Sequence, residues 1–264
     1  MKARVKNRVI LFVKLVFTAC FIILNPSCGL DNIMYLYGPS VNAPPIYSAS
    51  NTIPYTNRYF EFTTNSRDAS QGDFAVIGTD VYYKIYANLS TCANEYSALN
   101  TMANTESSKY NSASSLINSY KFQKLSIERT DGGRNDEAFY EHDGSNDTVT
   151  IRLTTYLQNP TSEEFSAFVR FKKNGEEKTV GVPIRYYGNR YFDFHRNATN
   201  YYAPSPGTTS FEDDLSTNTS ATESGKWYIT LYAVTVGRDN AFTPMYSPIV
   251  HLGTLAIDAN SYDN

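Results

Sequence analysis

Val149-Thr150-Ile151-Arg152-Leu153-Thr154-Thr155-Tyr156-Leu157 alternates apolar or branched side chains with polar ones over its whole length. Successive side chains of an extended chain point to opposite faces, so Val149, Ile151, Leu153, Thr155 and Leu157 share one side. Thr150, Arg152, Thr154 and Tyr156 take the other. A parallel strand covered on both faces would be apolar throughout, and the clean alternation predicts an antiparallel sheet with one dry and one wet face. Beyond Pro160 the pair Asn174-Gly175 is a favoured two-residue hairpin turn. Centring the strands on it sets Val169 opposite Val180, Ala167 opposite Val182 and Phe165 opposite Ile184, all six on one face. Pro183 has no N–H, which predicts that the second strand lies at an edge or bulges there. Gly188-Asn189 suggests another tight reversal, with Tyr186 across from Tyr191. Trp227, Ile229, Leu231 and Ala233 alternate into a further strand, Gly237 to Asn240 turns, and Met245 to Leu255 reads as the last strand.

Upstream the same period recurs. Tyr59 to Thr64 predicts a first strand, Phe74 to Ile77 a second, and Asp80 to Ala87 a third with Val81, Tyr83, Ile85 and Ala87 on one face and Tyr82, Lys84 and Tyr86 on the other. From Leu89 the spacing changes to three- and four-residue steps through Cys92, Tyr96, Leu99 and Ala103, and again from Tyr110 to Tyr120. Two helices broken around Thr105 to Ser108 are expected, with Ser90 or Thr91 as the cap and Glu95 in the opening turn. Gln123, Leu125 and Ile127 return to the two-residue period. Asp131 to Asp147 and Tyr202 to Gly225 read as polar loops, the second as a mobile excursion. The expected fold is mainly β, an antiparallel β-sandwich of the immunoglobulin or fibronectin III kind over 58–258, with a helical insertion at about 90–120.

The 22 tyrosines and 15 phenylalanines beside one tryptophan favour strands, and exposed tyrosines also make recognition surfaces at low entropic cost. Tyr186, Tyr187, Tyr191, Phe192, Tyr201 and Tyr202 lie close together around predicted turns and form the candidate binding surface. The run Trp227-Tyr228-Ile229-Thr230-Leu231-Tyr232-Ala233-Val234, followed by Ser247-Pro248-Ile249-Val250, resembles the last two strands of fibronectin type III modules. Trp227 stands where that family has a tyrosine. Asp80-Val81-Tyr82-Tyr83-Lys84-Ile85-Tyr86 is similar to the third strand of such modules, and the resemblance implies a β-sandwich.

The N-terminus reads differently. Lys2, Arg4, Lys6 and Arg8 precede an uncharged run from Leu15 to Leu24, the order of parts in a secretory signal. Leu24-Asn25-Pro26-Ser27-Cys28 then resembles the relaxed lipobox of bacterial, spirochaete-type lipoproteins: Leu24, Ser27 and Cys28 fit, and Pro26 replaces a small residue. That resemblance implies cleavage of 1–27, fatty acylation of Cys28 with palmitate-like chains, and an address in the cell envelope on a membrane. Val9 to Leu24 is short for a spanning helix and contains Lys14. Residues 28–57, with Pro39, Pro44, Pro45 and Pro54, read as a spacer.

Removing 1–27 takes five of the 23 basic residues and no acidic ones, leaving 18 against 26, a formal charge of −8. That excludes nucleic acid as an expected partner, because phosphate binding needs clustered Lys and Arg. Cys92 becomes the lone unmodified cysteine of the mature chain, expected as a partly buried thiol. His142, His195 and His251 are too scattered for zinc-ligand spacing, and no phosphate loop, dinucleotide loop or serine elbow occurs. No cofactor or metal is expected. Asp131, Asp136, Glu137, Glu141, Asp143 and Asp147 supply oxygens of the kind Ca²⁺ takes, without the spacing of a calcium loop. The carboxylate doublets Glu163-Glu164, Glu176-Glu177 and Asp213-Asp214 read as solvated loop charge. Two functions follow: a lipid-anchored, non-catalytic binding or structural module for a protein or glycan, or a tethered polysaccharide hydrolase using loop carboxylates.

Overall fold

The structure, a computed structural model, describes residues 36–41, 46–47, 54–65, 74–130, 138–142, 145–156, 166–195, 201, 203–204, 212–217 and 225–259. Residues 1–27, Cys28, Tyr202, Leu157, Phe165 and the calcium candidates Asp131, Asp136, Glu137 and Asp143 lie outside them.

Among the described residues twelve strands form two sheets. The first joins β1 (Ile46–Tyr47), β12 (Val250–Asp258), β10 (Lys226–Asp239) and β3 (Phe74–Tyr86) in that order. The far edge of β3 takes two short partners, β4 (Gln123–Lys124) and β6 (Tyr140–Glu141), and β11 (Pro244–Tyr246) folds back on β10. The second sheet runs β2 (Phe60–Thr63), β7 (Thr148–Arg152), β8 (Phe168–Lys173), β9 (Glu176–Ile184) and β5 (Ser126–Arg129). All pairs are antiparallel except β1 with β12.

The inner faces meet in one apolar core, as the alternation demands. Val81, Tyr83, Ile85 and Ala87 from the first sheet pack with Phe60, Phe62, Val149, Ile151 and Val169 from the second. Burial of each such side chain contributes roughly 2 kcal/mol. The architecture is therefore a mainly antiparallel β-sandwich.

The outer face of the first sheet is not wet. Tyr82, Tyr86, Tyr228 and Tyr232 pack beneath Cys92 and Leu99 of helix α1 (Leu89–Ala103) and beneath Ala113 and Leu116 of the helical stretch 109–119, which ends in a π-turn. The helical insertion thus makes a third layer. Lys84, buried on this face, donates to both Glu95 carboxylate oxygens (3.1 and 2.9 Å) and to the Tyr120 carbonyl (2.8 Å), and the Tyr86 hydroxyl donates to Glu95 at 2.8 Å. Glu95 sits past the first turn and ties the helix to the sheet. The cap is Asn88, not Ser90 or Thr91: its side chain accepts from the Thr91 N–H at 2.9 Å. Cys92 is buried, with Sγ 2.9 Å from Thr230 Oγ1, and burial pushes its thiol pKa up.

Several expectations for the strands are corrected. Arg170 faces Thr179 and Lys173 faces Glu176, as a turn centred on Asn174-Gly175 requires, but a bulge at Val180 then sets Val169 opposite Gly181. Gly181, next to the bulge, lies against the neighbouring strand, where a Cβ would come 2.1 Å from the Glu128 carbonyl of β5. β9 is accordingly not an edge, and Pro183 falls beyond its last pair with β8. Phe74 to Ile77 and Asp80 to Ala87 are a single strand bent by a bulge at Ile77. Gln123 and Ile127 belong to different sheets, the chain crossing at Leu125, whose N–H donates to Val81 O at 2.8 Å. In β7 the outer face is dry at its far end. Arg152 is buried, donating to the Thr56 carbonyl at 2.8 Å, while Tyr156, beyond the end of the strand, packs with the core and has Arg58 over its ring.

The stretch expected as spacer contributes to the body, which begins at Leu36. Leu36 is buried beside Gly237, Ser40 pairs with Thr63, and Ile46–Tyr47 adds a strand.

Candidate functional site

β9 ends at Ile184 and is followed by Arg185, whose guanidinium is 0% exposed. A buried cation needs charged partners, because its solvation is lost. Asp214 supplies two contacts: its Oδ2 accepts from Nε at 2.8 Å and its Oδ1 from Nη2 at 2.8 Å. Glu212 accepts from Nη2 at 2.5 Å and also from Nη1 of Arg190 at 3.2 Å. Burial pulls the Arg185 pKa down, but the hydrogen bonds and charge of Asp214 and the charge of Glu212 outweigh it, and the net shift is upward. The Tyr83 hydroxyl closes the cluster. It donates to Asp214 Oδ2 at 2.6 Å and accepts from the Tyr186 N–H at 2.6 Å. Burial first, then the Asp214 charge, hold this hydroxyl protonated.

The acidic partners come from the loop expected to be a mobile excursion. Asp214 O accepts from the Ile85 N–H at 2.9 Å and the Ser216 N–H donates to Ile85 O at 2.8 Å, so 214–216 docks as one more rung on the β3 edge. Leu215 enters the core. Of the doublet Asp213-Asp214, read as solvated charge, Asp213 is exposed and Asp214 is buried.

This cluster holds the turn that carries the candidate tyrosines. Arg185 N–H donates to Arg190 O at 2.7 Å and Ile184 lies opposite Tyr191, so the reversal is wider than the expected pairing of Tyr186 with Tyr191. Gly188 (φ 66°) and Asn189 (φ 52°) take left-handed conformations that suit those residue types. Tyr186 projects outward at 57% exposure. Tyr187 is half-buried with Arg190 5.0 Å over its ring. Tyr191 stacks on Tyr201, centroids 4.7 Å apart and planes at 29°. The Tyr191 hydroxyl donates to Glu128, and burial followed by that bond pushes its pKa up to about 12.

Phe192 does not belong to the surface. It is 0% exposed and meets Tyr83 edge-on at 5.1 Å, because neighbours on an extended segment face opposite ways and Tyr191 takes the outward side. A cleft of about 350 Å³ opens beside the tyrosine pair. Tyr191, Tyr201, Thr155, Ser166 and the buried Asp193 supply its polar groups, and Leu153, Ala167 and Val182 its apolar ones.

A second cleft, of about 310 Å³, lies between α1 and the start of β12, lined by Tyr96, Asn100, Tyr232 and His251. The Tyr232 hydroxyl and both ring nitrogens of His251 are out of contact with solvent behind its wall, and burial lowers the His251 pKa to about 4. A ligand in this cleft would meet the rings and the asparagine amide, not those buried atoms.

The sequence did not single out Arg185, Tyr83 or Glu212. Glu212 and Asp214 flank the exposed Asp213 in a turn closed by the Leu215 N–H donating to Glu212 O at 3.0 Å, so no strand or helix period in the sequence marks the pair. Comparison with protein-family models, with curated proteins and with solved structures found no match. Among the described residues no cluster of three or more His, Cys, Asp or Glu side chains could hold a metal ion, and no helix is long and apolar enough to cross a membrane. Asp147 is occupied by Tyr140 and Ser145. The convergent buried carboxylates, Glu212 and Asp214, are neutralised by arginine.

Proposed function

We propose that this chain is a lipid-anchored envelope protein, tethered through Cys28, whose body is a non-catalytic binding module for a glycan. The observation that carries the reading is the stacked Tyr191–Tyr201 pair lining a cleft together with Thr155 and Ser166. Aromatic faces offer broad contact for the C–H surfaces of a sugar ring, and the tyrosine, threonine and serine hydroxyls offer acceptors and donors for its hydroxyl groups. The buried ions behind the turn support binding by holding the tyrosines in place before a ligand arrives. Glu212 and Asp214 are committed to arginine, so nothing about them favours the hydrolase alternative.

Two measurements test the reading. Metabolic labelling with a fatty-acid analogue is expected to mark the wild type and not Cys28→Ala. On a glycan array, Tyr191→Ala is expected to weaken binding about tenfold while circular dichroism stays unchanged, the equivalent of about 1.4 kcal/mol. Retained binding by Tyr191→Ala would overturn the site.

A further inference from the structure

The hairpin joining β10 to β11 carries the most exposed large apolar side chain among the described residues, Phe242, at 78%. Its φ is 62°, in the left-handed region that a bulky L residue enters only against steric resistance. The turn itself does not call for a ring. Asp239 Oδ1 accepts from the N–H groups of Ala241 (2.9 Å) and Thr243 (2.7 Å), its carbonyl accepts from the Phe242 N–H (2.9 Å), and its own N–H donates to Thr243 O (3.1 Å). All four bonds use Asp239 or backbone, so Gly or Asn at 242 would serve the fold better. The ring is kept for something outside the fold.

Its surroundings indicate what. From Asn240 to Val250 no residue is charged, and Ala241, Thr243 and Pro244 are exposed beside Phe242. Leu36, where the body begins, packs beside Gly237, which pairs with Met245 in the same hairpin. Three strand residues, about 10 Å, separate that contact from the tip. Cys28 lies eight residues before Leu36, a stretch that spans at most about 28 Å when fully extended. A lipid at Cys28 therefore keeps this end of the sandwich close to the bilayer.

We infer that the β10–β11 tip is a second membrane contact, with Phe242 entering the interfacial region of the bilayer that holds the acylated Cys28. The inference rests on the lipid-anchor reading. Tethering raises the local concentration of the tip at the surface, so one inserted ring and its uncharged neighbours suffice. In a chain carrying a single lipid the anchor by itself is marginal, so a second apolar contact becomes measurable as slower release.

The test uses the mature chain from Cys28 with one lipid coupled chemically to that thiol; Cys92 is buried. On phosphatidylcholine vesicles with brominated chains, Phe242→Trp is expected to give a blue-shifted, quenched tryptophan, while the buried Trp227 is unaffected. Phe242→Gly is expected to raise the thermal midpoint by relieving the backbone, yet to speed release from vesicles about fivefold, the scale of one aromatic ring at an interface. Water-like emission from Trp at 242, an unchanged release rate, or self-association in solution that Phe242→Gly abolishes would each overturn the inference. Because the lipid is attached by hand, these outcomes are independent of whether the cell acylates Cys28, which the labelling experiment decides separately.

Discussion

The turns at 185–191 and 239–243 both present exposed aromatic rings, and they are held in opposite ways. The first depends on partners far along the chain. Tyr83 reaches Tyr186 across 103 positions, and Asp214 reaches Arg185 across 29. The second is held by a residue of its own, Asp239, within four positions. A turn built from buried, distant ions is only as well placed as the tertiary structure around it. A turn built on its own aspartate keeps its shape while its surroundings change.

Breaking the first turn is expected to have the largest effect. Arg185→Met leaves Glu212 and Asp214 buried without their central cation, and the loss should be about 3–5 kcal/mol in urea unfolding. A loss under about 1 kcal/mol would mean that the cluster is ordinary surface charge and that the two turns do not differ. Tyr83→Phe comes next, since it takes a donor from Asp214 and strands the Tyr186 N–H. About 1–2 kcal/mol is expected, with faster hydrogen exchange at the Tyr186 amide as the local signature. Asp239→Ala should be smallest, about 0.5–1 kcal/mol, because the N–H groups it frees are exposed and water replaces their acceptor. Exchange at Tyr186 should then be unchanged; if it quickens, the second turn is not autonomous.

The same contrast governs what was legible in the sequence. Val81, Tyr83, Ile85 and Ala87 fall on the inner face as their spacing requires, and the hairpin register holds from Asn174 back to Arg170 and on to Thr179. Such features depend on neighbours in the chain, where period and turn chemistry act. The dry outer face of the first sheet was not legible, because nothing in an alternating strand says whether its second side meets water or a helix. Of the candidate surface, Tyr191 and Tyr201 do come together and Phe192 turns inward. Glu212 and Asp214 read as loop charge, since an acidic loop looks the same in sequence whether its carboxylates face solvent or a buried guanidinium.

By itself the sequence determined the antiparallel β class, the placing of the helices between two strands and the turn at Asn174-Gly175, because each follows from side-chain periodicity and from the φ that Gly and Asn tolerate. Only the tertiary structure decided that the helices cover the sheet, that β9 bulges at Val180 where Gly181 lies against β5, and that Arg185 pairs with the 212–217 loop in the body. Those outcomes depend on which segments approach one another closely enough to exclude water, and burial makes a charge seek its counter-ion wherever along the chain it lies.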